Sequence, residues 1–443
     1  MRNTARDNRG RQGREAAPER GARGGGVGRR TVAASAVTAA ALLVTGGADG
    51  ARADAAGRRA RRAAAVGGLI LRLPAPTGPH PVGSVALHLV DRSRRDPWED
   101  GISVREVMVT VCYPARTVHG RPRAPQLTAD AAPWFARIDT AVHPELPKSG
   151  VDWAATLTHA HPGAPAQPVR RPVLLYSPGG GDPRTVGTGV AEELASHGYV
   201  VVTVDHPGDA SEVDFPSGTA ERGKVRPTVL RGDPRSDPGQ FRILVGTRIA
   251  DLRFVIDQLG LLAAGRNPDA DGRTLPAGLG RALDLRRVGG YGHSAGGTAV
   301  AEALYEDRRI GAAVNLEGFL DHPPQAPGEE GELFPVARHG VDRPLLLLGS
   351  EGFAGRAELA RSWSAMLSRP GGRTERGLIG NAAHWVFTDY AALAPQLHAA
   401  GLMSTARRTA LVGALPPRES VPTVRRHVRT FFDRHLTPCQ SAS

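Results

Sequence analysis

Ser294 is the residue whose surroundings point most directly to chemistry. It lies in the run Gly292-His293-Ser294-Ala295-Gly296, with a glycine two positions away on either side. A sharp turn from a strand into a helix needs this spacing, because a Cβ at either glycine would clash, and such a turn exposes the serine hydroxyl. Apolar residues before the run predict a strand, and the small residues after it predict a helix. The sequence therefore predicts a nucleophilic serine at this turn.

A base for that serine is expected in a later loop, because a serine hydroxyl is a poor nucleophile at neutral pH. His384 follows a strand predicted over 375–379, in the loop Gly380-Asn381-Ala382-Ala383-His384. The carboxyl ends of parallel strands meet at one edge of a sheet, and Ser294 also follows a strand. We therefore expect His384 to be the general base. His293 lies on the wrong side of the turn and is expected to pack or to hydrogen bond.

The carboxylate that orients the base has two main candidates. Glu317 follows the strand predicted over 312–316, and Glu351 follows the next strand, predicted over 344–348. Either choice keeps the chain order serine, acid, histidine. Asp321 is a weaker third candidate. Position alone leaves Glu317 and Glu351 nearly even.

Hydrogen-bond donors are also needed for the oxyanion that forms when a carbonyl is attacked. One expected donor is the backbone N–H of Ala295, and the other comes from the loop Ser177-Pro178-Gly179-Gly180-Gly181. We expect Gly180 to be this second donor. The loop lacks the lysine and the spacing of a phosphate-binding loop. No metal or organic cofactor is expected, since His159 and His161 have no carboxylate close by in sequence.

Alternation of strands and helices from residue 172 onward predicts the fold. The continuous apolar runs at 173–177 and 199–204 are typical of strands that are buried on both faces. Apolar positions between 249 and 259 recur at helical spacing. The sequence predicts an α/β fold with a mostly parallel central sheet flanked by helices. Period-two alternation at 85–89 and 107–111 predicts an antiparallel hairpin at one edge of that sheet.

Positive charge is concentrated at the amino end of the chain. The net charge is +12, and residues 1–55 alone carry ten arginines against five acidic residues. Arg29 and Arg30 precede an apolar run over 32–44 that is too short to span a bilayer, which predicts an export signal of the twin-arginine type. Secretion is therefore expected. The remainder is only mildly basic, so nucleic-acid binding is not expected.

The rest of the chain divides into a linker and one domain. Residues 56–82 predict a flexible basic linker, and residues 83–438 predict a single α/β domain with an insertion over 115–170 that is rich in proline, alanine and histidine. Cys112 and Cys439 could pair in an oxidising compartment or remain two free thiols. Their spacing leaves both options open.

Several of these segments together resemble the platelet-activating-factor acetylhydrolase branch of the α/β-hydrolases, including its secreted actinobacterial lipase-like relatives. In that family the acid follows the strand after the nucleophile, so the resemblance implies Glu317 as the acid, with Glu351 as the alternative. The family's oxyanion loop usually reads Ser-His-Gly-Leu-Gly, and here Pro178 and Gly180 replace the histidine and the bulky residue. The resemblance covers about residues 83–400 and rests on 172–206, 292–297, 315–317, 347–353 and His384.

The function that this resemblance implies is cofactor-independent hydrolysis of short-chain acyl esters, as in 1-alkyl-2-acetylglycerophosphocholine. One alternative is a secreted lipase or a cutinase-like polyester hydrolase, because acyl-chain length depends on the shape of a pocket. An alternative of another class is an inactive α/β-hydrolase that serves as a binding module, which the filled catalytic positions disfavour. The expected partners are a small-molecule or lipid ester and, peripherally, a lipid surface. The sequence does not indicate an oligomeric state.

Overall fold

A nine-stranded sheet organises the chain. The computed structural model describes residues 67–326, 329–369 and 372–436. The strands are β1 (Val82–Asp91), β2 (Arg105–Pro114), β3 (His161–Pro162), β4 (Arg171–Ser177), β5 (Val200–Asp205), β6 (Glu212–Asp214), β7 (Val225–Pro227), β8 (Leu283–His293), β9 (Ile310–Leu316), β10 (Leu345–Ser350) and β11 (Thr374–Ile379). The large sheet has the order β11-β10-β9-β8-β4-β5-β2-β1-β3, and a separate two-stranded sheet pairs β6 with β7.

Six neighbouring strands, from β11 through β8 and β4 to β5, are all parallel. Parallel strands of this kind are buried on both faces, and the apolar runs of β4 and β5 suit that burial. The predicted α/β-hydrolase fold, with its mostly parallel sheet, is confirmed. Its consequence for function is that β4, β8, β9, β10 and β11 all end at the same edge.

The predicted antiparallel hairpin is formed by β1 and β2, with Val85 opposite Val111 and Leu89 opposite Val107. β2 also pairs antiparallel with β5, which joins the hairpin to the parallel part of the sheet. The hairpin does not form the edge of the sheet itself, because the two-residue strand β3 pairs with the outer side of β1. β3 lies within the predicted insertion, where no strand was expected.

Helices cover both faces of the sheet. Alternate residues of β4 show this, since Val173 and Leu175 pack in one apolar cluster, whereas Leu174 and Tyr176 pack in another. The first cluster includes residues of the helices Pro238–Ala263, Ala295–Glu306 and Arg356–Leu367, and the second includes residues of the helices Thr188–Ser196 and Pro417–Leu436. The helices are α1 (Ala132–Val142), α2 (Thr188–Ser196), α3 (Pro238–Ala263), α4 (Leu279–Ala282), α5 (Ala295–Glu306), α6 (Pro335–His339), α7 (Arg356–Leu367), α8 (Tyr390–Ala399), α9 (Thr405–Val412) and α10 (Pro417–Leu436).

The predicted insertion at 115–170 contains α1, which sequence reasoning did not place. Phe135 of α1 packs edge to face against Trp153, with ring centroids 4.9 Å apart. Both rings lie in a third apolar cluster with Tyr390 and Leu393 of α8. These two aromatic residues therefore attach the insertion to the domain.

The linker prediction is wrong for residues 67–81. Leu71 and Leu73 are buried, and both belong to the apolar cluster that contains Phe135 and Trp153. Leu69 forms a bridge to Val151 of the insertion. The physical reason is the alternation of leucines at 69, 71 and 73, which places apolar side chains on one side of an extended segment.

Several sequence predictions fall on residues that the structure does not describe. The export signal over 1–55 and the first part of the predicted linker lie outside the described residues, as does Cys439. Cys112 is buried in β2. Because Cys439 is not described, the pairing of the two cysteines stays a prediction. Across the described ranges, the structure contains no helix with the length and apolar character that a membrane crossing requires.

Candidate active site

Ser294 occupies a strained turn between β8 and α5. Its backbone has φ 53° and ψ −122°, a conformation that L-residues rarely adopt. A Cβ at Gly296 would overlap the carbonyl oxygens of Ser177 and Pro178, and a Cβ at Gly292 would overlap the backbone of Gly296. Both glycines are thus required by close backbone approach, which supports the turn predicted from sequence.

His384 begins a short 3-10 turn, His384–Phe387, after β11. Its Nδ1 lies 2.7 Å from Oε2 of Glu317, which follows β9 and has φ 63°. The other carboxylate oxygen of Glu317 accepts a hydrogen bond from the backbone N–H of Ser350, at the end of β10. The ends of three neighbouring strands therefore hold Glu317 and His384 together.

Of the three carboxylates considered from sequence, Glu317 is the one that contacts His384. Glu351 is exposed, and its Oε2 accepts the backbone N–H of Asn381 at 2.9 Å. Asp321 forms an ion pair with Arg235 at 3.2 Å. The structure therefore favours Glu317, which the family resemblance implied, over Glu351, which strand position alone did not distinguish from it.

Burial controls the protonation of this pair. Glu317 is fully buried and His384 is 9% exposed. Loss of hydration lowers the pKa of His384 to about 4, so the neutral imidazole, which can accept a proton, predominates at neutral pH. Burial raises the pKa of Glu317, while the hydrogen bonds from Ser350 oppose that rise.

Ser294 and His384 line one cavity together with Gly180 and Ala295. Gly180 lies beside Ala295, since a Cβ at Gly180 would contact the Ala295 methyl group at 3.6 Å. No hydrogen bond joins the Ser294 hydroxyl to the His384 ring in the described part of the chain. Catalytic hydrogen bonds of this type often tighten when substrate binds.

Arg248 of α3 holds the glycine-rich loop in position. Its guanidinium donates to the carbonyl oxygens of Pro178 and Gly179, the latter at 2.8 Å. Its Nε donates to Asp209 at 2.5 Å, and the other oxygen of Asp209 accepts the N–H of Gly181 at 2.9 Å. With these carbonyls held by one buried cation, the N–H groups of the loop are restricted to few orientations.

Arg248 and Asp209 were missed from sequence, although a signal for Arg248 exists. Arg248 falls between Leu244 and Leu252 at four-residue spacing, so it lies on the apolar face of α3 and is fully buried. A charged residue on such a face needs a buried partner. Nothing in the local sequence identifies Asp209 as that partner.

His293 has the packing and hydrogen-bonding role that the sequence predicted. It is fully buried, and its ring lies 4.4 Å from the His384 ring between centroids. Its Nε2 donates to the backbone carbonyl of His384 at 3.0 Å. This contact fixes the backbone of the loop that carries His384.

The cavity in front of Ser294 has a volume of about 840 Å³. That size is within the range of pockets that enclose a small organic ligand. Helix α1 of the predicted insertion contributes part of the wall. The apolar and aromatic lining residues are Trp134, Ile138, Val142, Leu230, Phe241, Phe319, Phe353 and Trp385, and the arginines are Arg137, Arg231 and Arg235.

Comparison with known proteins identifies esterases among the relatives of this chain. No protein-family model matches the chain. A probable 1-alkyl-2-acetylglycerophosphocholine esterase from Arthroderma benhamiae is 26% identical over 82% of this chain and 88% of its own length. Platelet-activating factor acetylhydrolase from Bos taurus is 23% identical over 49% of this chain, which spans about half of that relative (48%).

A solved structure resembles the chain over most of its length. It is a ferulic acid esterase from Streptomyces cinnamoneus, with a TM-score of 0.63 and 32% identity over 83% of this chain and 94% of that one. The fold and these relatives define an α/β-hydrolase that acts on carboxylic esters. Within that superfamily, the chain is similar to platelet-activating factor acetylhydrolase and to the esterase from Arthroderma benhamiae.

Replacing the two competing acids tests which of them supports the base. We expect Glu317→Gln to lower kcat by about 10³- to 10⁴-fold, because the imidazolium would lose its buried counter-charge. Glu351→Gln, an exposed matched control, should change kcat by less than about threefold. The rates are measured with p-nitrophenyl acetate. Loss of activity in Glu351→Gln alone would overturn the assignment.

The pH profile tests the protonation state of His384. Since only the neutral ring accepts a proton, kcat/KM should fall as the pH drops through the pKa of this ring. Burial lowers that pKa, while the charges of Asp182 and Asp233 oppose the shift. We expect the midpoint of the acid limb below 6.5, the ordinary value for histidine. A midpoint above that value would contradict the argument.

Removing the cation under the glycine-rich loop tests its structural role. Arg248→Leu leaves Asp209 buried without its partner, so the free energy of unfolding should fall by about 3–5 kcal/mol. Arg253→Ala on the same helix breaks an exposed pair with Glu306 and should cost about 1 kcal/mol or less. Denaturant unfolding measures both. Equal losses would show that burial of Arg248 is unimportant.

Proposed function

We propose that Ser294 is the nucleophile, His384 the general base and Glu317 the orienting acid of this carboxylester hydrolase. The Ser294 oxygen attacks the ester carbonyl while Nε2 of His384 removes the hydroxyl proton. Glu317 accepts the Nδ1–H of the ring and stabilises the imidazolium. The backbone N–H groups of Gly180 and Ala295 bind the oxyanion.

Collapse of this intermediate expels the alcohol and leaves an acyl group on Ser294. His384 gives its proton to the departing alcohol oxygen, and the neutral ring then takes a proton from water. The activated water attacks the acyl carbonyl, and the same two amides bind the second oxyanion. As the bond between the acyl carbon and the Ser294 oxygen breaks, His384 returns its proton to that oxygen, so the acid is released and both the hydroxyl and the neutral ring are restored.

The observation that carries this proposal is the 2.7 Å contact between His384 and Glu317 at the wall of the cavity that Ser294 lines. A fully buried carboxylate is costly unless it is used or paired. A binding module has no need of such a carboxylate behind a histidine that faces the cavity. The contact therefore supports an enzyme over an inactive α/β-hydrolase.

We propose short-chain acyl esters of amphipathic alcohols as the substrates. The named activities of the relatives from Arthroderma benhamiae and Bos taurus support this choice. The cavity walls are mostly apolar, and Arg231, which lines the cavity, has no carboxylate partner among the described residues, although its guanidinium donates to the backbone carbonyls of Thr228 and Leu230. That charge suits an anionic group on the alcohol, as in a glycerophospholipid.

Esters of aromatic acids are a second candidate. The cavity places Trp134, Phe241, Phe319, Phe353 and Trp385 around Ser294, and aromatic walls favour flat rings. The solved ferulic acid esterase is the structural relative that supports this option. A lipase or a cutinase-like polyester hydrolase remains the alternative for longer acyl groups.

We also propose that the enzyme is exported through its amino-terminal segment. Support comes from the sequence pattern alone, in which Arg29 and Arg30 precede an apolar run and small residues stand at 53 and 55. The amino-terminal residue of protein recovered from the culture medium reports whether cleavage occurs there. Retention of all of the chain inside the cell would contradict export.

Covalent labelling tests the nucleophile. A fluorophosphonate probe should label the protein once per chain, because such probes react with an activated serine hydroxyl. Ser294→Ala should abolish labelling, whereas Ser364→Ala, which removes an exposed hydroxyl on α7 away from the cavity, should keep it. Persistent labelling of Ser294→Ala at the original rate would identify a different nucleophile.

Initial rates on a substrate series test the acyl specificity. We expect kcat/KM for p-nitrophenyl acetate and butyrate to exceed that for palmitate by about tenfold or more, since bulky aromatic side chains line the cavity. Methyl ferulate is measured in parallel with the Ser294→Ala protein as the blank. A preference for palmitate would favour a lipase, and a preference for methyl ferulate would favour the aromatic-acid esterase.

A further inference from the structure

Three metal-ligating side chains meet behind the active site. Asp139 and His143 are four residues apart on α1, so they lie on the same face of that helix. Asp182 follows the glycine-rich loop. Nε2 of His143 lies 3.0 Å from Oδ1 of Asp182 and 3.9 Å from Oδ1 of Asp139. One ligand atom from each residue lies within 4.8 Å of the other two.

The position of this cluster distinguishes it from a solvated acidic patch. Asp139 is fully buried, and His143 and Asp182 are 1% and 2% exposed at the side chain. Water therefore cannot hydrate these carboxylates freely. Two carboxylates and one imidazole are the kind of donor set that binds zinc in proteins.

Asp139 is the observation that calls for a ligand. Both of its carboxylate oxygens are buried, and neither has a hydrogen-bond partner in the described part of the chain. A buried carboxylate without partners costs several kcal/mol. The ring of His143, on the same helix, directs Nε2 to Asp182 instead.

Protonation of Asp139 does not remove the need of its carboxyl group for hydrogen-bond partners. A protonated carboxyl group still has an O–H that requires an acceptor and an oxygen that requires a donor. Neither is present around Asp139 in the described residues. A cation placed between the three side chains would satisfy an oxygen of each carboxylate and the imidazole nitrogen together, and two charges on the cation would neutralise two carboxylates.

We propose that Asp139, His143 and Asp182 bind a divalent transition-metal ion, with zinc as the best fit. Zinc–ligand distances near 2.0–2.1 Å place tetrahedral ligand atoms about 3.3 Å apart, and the observed separations of 3.0 and 3.9 Å lie on either side of that value. Calcium and magnesium prefer sets made of oxygen alone. The imidazole therefore selects against them.

The proposed ion links two walls of the cavity rather than taking part in the chemistry. Helix α1 contributes Trp134, Ile138 and Val142 to one wall, and Asp182 belongs to the turn beside Gly180. His293 lies between this site and the base, with its Nδ1 3.8 Å from Oδ2 of Asp182. Metal binding would therefore attach the insertion to the loop that carries the expected oxyanion donor.

Metal content and thermal stability of the full chain test the site. We expect the protein to retain about one zinc ion per chain after equilibration with zinc and gel filtration, measured by inductively coupled plasma mass spectrometry. Its Tm should rise with added zinc and fall when a chelator removes it, because an ion that binds the folded state stabilises it. Calcium should leave the Tm unchanged.

Two variants localise the binding. Asp139→Asn should weaken zinc binding by tenfold or more, whereas Asp130→Asn, an exposed carboxylate just before α1 that pairs with Lys224, should bind as the unmodified chain does. Absence of stoichiometric zinc, a Tm that does not respond to zinc, or full retention by Asp139→Asn would overturn the proposal. Should Asp139→Asn fail to fold, the measurements on the unmodified chain still decide the outcome.

Discussion

The close approach of Gly296 to the carbonyl oxygens of Ser177 and Pro178 is the constraint on which the site depends. It places the first turn of α5 directly against the loop after β4, which no residue with a Cβ at position 296 would allow. The same contact brings Ala295 beside Gly180, so both expected oxyanion donors lie next to Ser294. The positive φ of Ser294 is the conformational cost of that arrangement.

The rest of the site follows from strand order and from buried charge. In the order β10-β9-β8-β4, the strand ends bring Ser350, Glu317, Ser294 and the glycine-rich loop to one edge. Buried ionic groups then hold the glycine-rich loop in place. Arg248 binds the carbonyl oxygens of the loop, and Asp182 faces both His143 and His293. The glycine-rich loop is thus secured from two sides.

The choice between Glu317 and Glu351 shows what the local sequence can and cannot determine about the site. Each follows a parallel strand, so position alone favoured neither, and the family resemblance was needed to prefer Glu317. In the structure, the left-handed backbone of Glu317 and the N–H of Ser350 turn its carboxylate toward His384, whereas Glu351 faces Asn381 at the surface. Both causes involve residues far apart in sequence. The segment at 67–81 was assigned to a linker for the same reason, since its partners are more than sixty positions away.

The sequence by itself determined the alternation of strands and helices, the glycine-flanked serine and the histidine after the last strand. These depend on residue size, hydrophobic period and chain order, which are local properties. Only the tertiary structure decided which acid meets His384, which cation holds the glycine-rich loop, and that Asp139 and His143 face Asp182. Such pairings depend on the burial of charges contributed by separate elements, and burial arises only when those elements pack together.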